Sequence, residues 1–183
     1  MEQKILAWHF IHPSRTLEHD ATGLTVEPGF IYSADPGPLV ICERGMHASR
    51  KALDGLQYAP SANPWVCRVR CWGDVQEGSD KLVCRHREVL WMADASRTLH
   101  QFACWCVRET PLLDGRKVWD LLTDPRSRRA VEAKEAWLEW KATSDELNAA
   151  RGAARDAAWG AARGAARGAQ QSQLDRMLSA LKG

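Results

Sequence analysis

"CERGMHASRKALDGLQYAP", residues 42–60, decides how the first half of this chain is read. Gly45 precedes Met46-His47-Ala48-Ser49, and a stretch bearing alanine and leucine then runs to Tyr58-Ala59-Pro60. Glycine supplies turn conformations closed to other residues, serine favours helix starts, and proline stops helices. The segment therefore predicts a strand–turn–helix junction. Ser49 is the expected N-cap, with Ala52, Leu53 and Leu56 on one helical face. The glycine and the serine have local structural reasons to be there. His47 has no such local reason, which makes it a candidate site residue.

Working outward, the flanking segments read as strands. "ILAWHFI" (5–11) alternates and is rich in β-formers, and "PLVICE" (38–43) is a short buried-type run. "WVCRVRCWG" (65–73) has period two, with Trp65, Cys67, Val69 and Cys71 on one face and Arg68, Arg70 and Trp72 on the other. In "KLVCRHREVLWM" (81–92), Leu82, Cys84, His86, Glu88 and Leu90 share a face, opposite Arg85 and Arg87. If these two strands pair, Arg68, Arg70, Trp72, Arg85 and Arg87 line one side of the sheet. Arginine beside aromatic rings grips phosphates, stacks on bases, or holds an acidic protein surface. A solvated outer face is the simpler meaning of such alternation.

From Ala95 the period becomes helical. Ser96 caps a helix carrying Leu99, Phe102, Ala103 and Cys106, which ends before Pro111. "RKVWDLL" (116–122) is a second helical piece, and Asp124-Pro125 supplies an N-cap and first-turn signal for a longer one. Thr143-x-x-Glu146 resembles a capping box at which a helix restarts. The expected fold class is α+β. A mixed or antiparallel sheet occupies residues 1–94, packing helices 95–123, and a long helical region 124–183.

Residues 149–168 repeat with period four, as AARG-AARD-AAWG-AARG-AARG. Residues four apart advance about 40° per step around a helix, so Arg151, Arg155, Trp159, Arg163 and Arg167 form a slowly winding stripe. That stripe is a second candidate binding surface, while the small-residue rows suit helix packing within the protein or a homo-oligomer. Further on, Leu174, Met177, Leu178 and Leu181 form an apolar face that must dock on something.

Composition narrows the function classes. A net charge of +2 over 183 residues makes no case for nucleic acid by itself, although arginine outnumbers lysine 18 to 7. Nine tryptophans exceed what core packing usually calls for, which favours contact surfaces. No run approaches the roughly 18 apolar residues of a membrane span, and "MEQKILAWHF" lacks a signal-peptide core, so the expected location is the cytoplasm. The six cysteines read as free, buried thiols. Cys67-x3-Cys71, Cys84-x-His86 and Cys104-x-Cys106 lack paired zinc spacing, and no metal is expected. No G-x-S-x-G, phosphate loop or H-E-x-x-H is present, and Cys42 with His47 lacks a third, orienting group.

"AWHF" (7–10), "CERGMHASRKALDGLQYAP", "CRVRCWGDV" (67–75) and "DKLVCRHREVLW" (80–91) together resemble a family of uncharacterised phage and prophage proteins. The likeness spans about residues 5–95, and the alanine/arginine tail resembles the same group. It implies a phage or prophage origin, and the family brings no established activity; the expected protein is a phage-encoded accessory factor in the cytoplasm of an infected bacterium. Such a protein acts by binding, for instance as a counter-defence factor contacting a host protein or nucleoprotein. In layout the chain is also distantly similar to ADP-ribosyltransferase-like domains. That similarity implies NAD as cofactor, His9 at the nicotinamide-side ribose and His47 on the nicotinamide ring. Glu88 would then stabilise an oxocarbenium-like transition state. The third expectation is a scaffold that oligomerises through its C-terminal helices.

Overall fold

The computed structural model describes residues 4–17, 23–60, 63–146 and 167–182. Most of the arginine stripe, from Arg151 to Arg163, lies outside the described residues, as does the Arg167 side chain. The chain forms two compact units, one of residues 1–96 with 174–183, the other of residues 97–173. The fold class is α+β, an antiparallel sheet region followed by helices.

The first unit holds the strands β1 (Ile5–Ile11), β2 (Ile31–Ser33), β3 (Met46–Ala48), β4 (Trp65–Trp72), β5 (Gln76–Glu77), β6 (Leu82–Cys84) and β7 (His86–Asp94), with helix α1 (Ala52–Leu56) between β3 and β4. Four strands form a sheet in the order β1-β4-β7-β2, and three form a smaller one, β3-β6-β5, all pairs antiparallel. Period-two alternation sorts β4 as its sequence predicts. Cys67, Val69 and Cys71 join Ile5, Ala7, Ile11, Tyr32 and Val89 in a core with Ala48, Leu82 and Cys84 of the smaller sheet.

Helix α1 starts later than Ser49 suggests. Ser49 exchanges two backbone hydrogen bonds with Trp8, at 2.7 and 2.9 Å, and so extends the sheet past β3. The N-cap falls to Lys51, whose side chain makes no capping bond. Phe10 lies beneath Gly55 of α1, on the sheet face opposite the cysteine core.

Leu174 and Leu178 near the C-terminus are fully buried in this unit, and Asp175 accepts a bond from the Ala52 backbone N–H at 3.4 Å. The apolar face read at 174–181 thus finds its cover in the N-terminal unit. Leu178→Ala is expected to cost about 2–5 kcal/mol, from lost burial plus the cavity left behind, measurable by urea titration.

The second unit contains most of α2 (Ser96–Glu109) and all of α3 (Pro125–Leu138). "RKVWDLL" gives a 3-10 turn, Val118–Leu121, in place of an α-helix. Arg108 lies over the Trp119 ring at 3.5 Å and is bonded by two nitrogens to Glu135 of α3, at 2.9 and 2.7 Å. Asp124 caps α3 through the Arg126 N–H at 2.8 Å, and the Arg126 side chain beside it holds its carboxyl down to about 2. The Thr143–Glu146 capping box forms as read, with bonds of 2.8 and 3.3 Å. Among the described residues no helix is long and apolar enough to cross a membrane.

Candidate functional site

The site is built by the junction quoted first. Gly45 has φ +130°, a conformation that side-chain-bearing residues rarely adopt, and a Cβ there would lie 2.2 Å from Val83 Cγ2. The glycine lets residues 38–45 turn tightly against β6, with a Val40–Arg44 bridge closing the turn. Arg44 pins it by donating from Nε and Nη2 to the Pro38 carbonyl, at 2.8 and 2.5 Å. Cys42 sits at φ +72°, and its N–H donates to His47 Nε2 at 2.9 Å. The structure therefore supplies the local reason that the sequence lacked for His47, because the imidazole holds the turn that precedes it.

Beyond the turn, His47 pairs with Val83 in β3–β6, and His9 pairs with Cys67 in β1–β4. Both histidines are half-buried and line one cleft of about 790 Å³ in the first unit. Lys81, which also lines it, lies 2.9 Å from Cys42 Sγ and 4.1 Å from the centre of the Tyr58 ring, while the Tyr58 hydroxyl donates to Asp80 at 2.5 Å. A hydrogen bond to Cys42 is the main influence raising the Lys81 ammonium above its ordinary range.

Glu88 is elsewhere. It pairs with Arg70 across β4–β7 and bonds to it at 3.1 Å, on the face that carries Trp8, Arg68 and Trp72. The expected grouping of His9, His47 and Glu88 is corrected here, since the first two share the cleft and the third lies on the opposite face. Carboxylates do line the cleft, at Asp35 and Glu43, but both belong to loops. The residues present do not fit the NAD arrangement that the transferase likeness implies.

The residue that replaces Glu88 on the cleft side is Arg87. It pairs with Cys71 and Tyr32, is only 2% exposed, and lines the cleft. Its Nη1 donates to the His47 carbonyl at 2.6 Å, and its Nε has no partner. Burial lowers the guanidinium below its ordinary value.

The single arginine face is corrected as well. Arg68, Arg70 and Trp72 share a face, with Arg68 4.5 Å from the centre of the Trp8 ring and Trp8 edge-on to Trp91. Arg87 is on the other side, because the register sets it opposite Cys71, and Glu88 takes the place beside Arg70. Arg85 leaves the ladder altogether, in a bend between β6 and β7. It donates to the carbonyls of Asp35 and Gly37 at 2.6 Å each and so clasps the 34–38 loop. Among the described residues no three His, Cys, Asp or Glu side chains gather to hold a metal ion.

The sequence pointed to His9 and His47 and missed Arg87 as a cleft residue. The available signal was that Arg87 is a lone cation whose strand parity matches Cys71 once β4 and β7 are in register. No curated protein and no solved structure is significantly similar to the chain. A family model does match, over residues 7–101, the span that contains every element of the cleft. On the strength of that match the chain belongs to the family described as Domain of unknown function (DUF7666).

Proposed function

We propose that this protein acts by binding, as an accessory factor of the phage type its motifs resemble, and that its binding element is the cleft between β1 and β3, which takes up a small molecule. The observation that carries this reading is the convergence of His9 and His47, from two different strands, on one cleft of about 790 Å³. Pockets of this size suit metabolite-sized ligands that are held by a few convergent polar groups. Glu88, salt-bridged to Arg70 on the opposite face, has no part in that cleft.

The test is retention. Full-length protein is incubated with a bacterial metabolite extract and desalted, and the small molecules released on denaturation are identified by mass spectrometry. Wild type is expected to retain a ligand that His9→Ala releases and Glu88→Gln keeps. Equal retention by wild type and His9→Ala contradicts the reading. Loss in Glu88→Gln alone, with label transfer from NAD, points instead to transferase chemistry. Glu88→Gln should cost less than about 1 kcal/mol in urea, since its pair with Arg70 is partly open to solvent, the side chains being 38% and 23% exposed for Arg70 and Glu88.

A further inference from the structure

We propose that the Arg87 guanidinium is the oxyanion-binding group of this cleft, and that the ligand is a small organic molecule bearing a phosphate or a carboxylate. The inference rests on the cleft-binding reading above and names the chemistry of its ligand.

Among the described residues Arg87 is a buried cation with no carboxylate counter-ion. The ionisable groups around it are Cys67, Cys71, Cys84 and Tyr32. Burial pushes the Cys67 thiol up to about 12. A hydrogen bond with Cys84, together with burial, pushes Cys71 up as well. The Cys84 thiol shares its one proton between the carbonyls of Met46 and His86, at 3.2 Å each, although a hydrogen bond with Cys71 and the Arg87 charge lower it from its ordinary value. Tyr32 donates its hydroxyl proton to the Thr25 carbonyl at 3.1 Å. Among the described residues no carboxylate forms an ion pair with Arg87, and its one side-chain hydrogen bond is to the neutral His47 carbonyl.

Removing a charge from water without pairing it is costly, and folded interiors ordinarily pair such a group or replace it with an apolar one. Arg87 does neither, and it lines a cleft that opens to solvent. An oxyanion entering the cleft supplies the missing negative charge, and the planar guanidinium fork matches a carboxylate or phosphate with two parallel bonds. Lys81 and Arg44 line the same cleft, as do Asp35 and Glu43, so its remaining charge is mixed, and Arg87 is the buried cation among them. The cleft also far exceeds a bare phosphate ion in size. Tyr58 contributes aromatic surface to its wall, which favours an organic body on the anion.

The probes are phenyl phosphate, benzoate and benzamide, which share one ring and carry two anions and a neutral amide. Each is titrated calorimetrically into the full chain in phosphate-free buffer. At least one anion is expected to bind about tenfold or more tightly than benzamide. A preference between phenyl phosphate and benzoate identifies which kind of oxyanion the natural ligand bears. Arg87→Met, with folding checked by circular dichroism, should lose anion binding. Arg87→Lys, which keeps the charge without the fork, should weaken it about tenfold and decides the matter if the methionine variant fails to fold.

Unchanged anion affinity in Arg87→Met, or in Arg87→Lys where that variant decides, overturns the proposal, as does failure of all three probes to bind wild type. Benzamide binding as tightly as the anions also overturns it while leaving the cleft reading intact. Failure of the retention experiment, by contrast, removes both.

Discussion

Arg87→Met is expected to make the ligand-free protein more stable, by about 1–3 kcal/mol. Two opposing effects set this value. Losing the bond to His47 leaves a carbonyl short of a partner, at a cost of about 1–3 kcal/mol. Removing an unpaired buried charge recovers a desolvation penalty of several kcal/mol, and replacing buried ionic groups by apolar side chains is often stabilising. The second effect wins because Arg87, at 2% exposure, has no carboxylate among the described residues to recover that penalty. For a chain of this length the gain corresponds to a rise of several degrees in Tm. Thermal unfolding in phosphate-free buffer checks it, and a clear fall in Tm would mean that Arg87 is there to support the fold. An arginine that lowers stability and confers binding has the energetic signature of a functional group.

Gly45→Ala is expected to act in the opposite direction, costing about 3–5 kcal/mol. Alanine at φ +130° carries backbone strain of about 1–3 kcal/mol. Its methyl group would meet Val83 Cγ2 at 2.2 Å and Leu39 Cδ2 at 3.0 Å, and both belong to buried residues that cannot withdraw freely. Forcing a methyl group into such a site adds about 1–3 kcal/mol more. Urea unfolding measures the sum, and a loss under about 1 kcal/mol would show that the turn adapts. Because Gly45 sets the path of the chain into His47, the same variant should also lose ligand retention at temperatures where it remains folded.

These two residues mark what the sequence made legible. Gly45 was readable as a turn residue, because glycine adopts conformations closed to other residues. The helix cap at Asp124 and the capping box at Thr143 were readable on similarly local grounds, whereas the strand expected at 38–43 is a turn and Ser49, the expected helix cap, extends the sheet instead. Alternation within β4 was also correct, since Cys67, Val69 and Cys71 do share the core face, whereas the single strand read over 81–92 breaks at Arg85. The register between strands was not readable. Alternation fixes which residues of one strand share a face and says nothing about which face of the neighbouring strand they join. That missing information moved Arg87 to the cleft side and Glu88 away from it, and it dissolved the arginine face expected from five residues. His47, singled out from the sequence, lines the cleft, although the bond from the Cys42 N–H, which depends on the fold of the turn, was invisible in the sequence.

The most direct test of a ligand-binding cleft centred on Arg87 is nuclear magnetic resonance of the arginine Nε–H groups in the full chain. The buried Arg87 Nε–H should give a slowly exchanging signal that is absent in Arg87→Lys. On titration with phenyl phosphate or benzoate that signal should shift and saturate, ahead of those from exposed arginines such as Arg50, which is already paired with Glu77. An Arg87 signal that stays fixed through the titration, while the exposed arginines respond, would contradict the account.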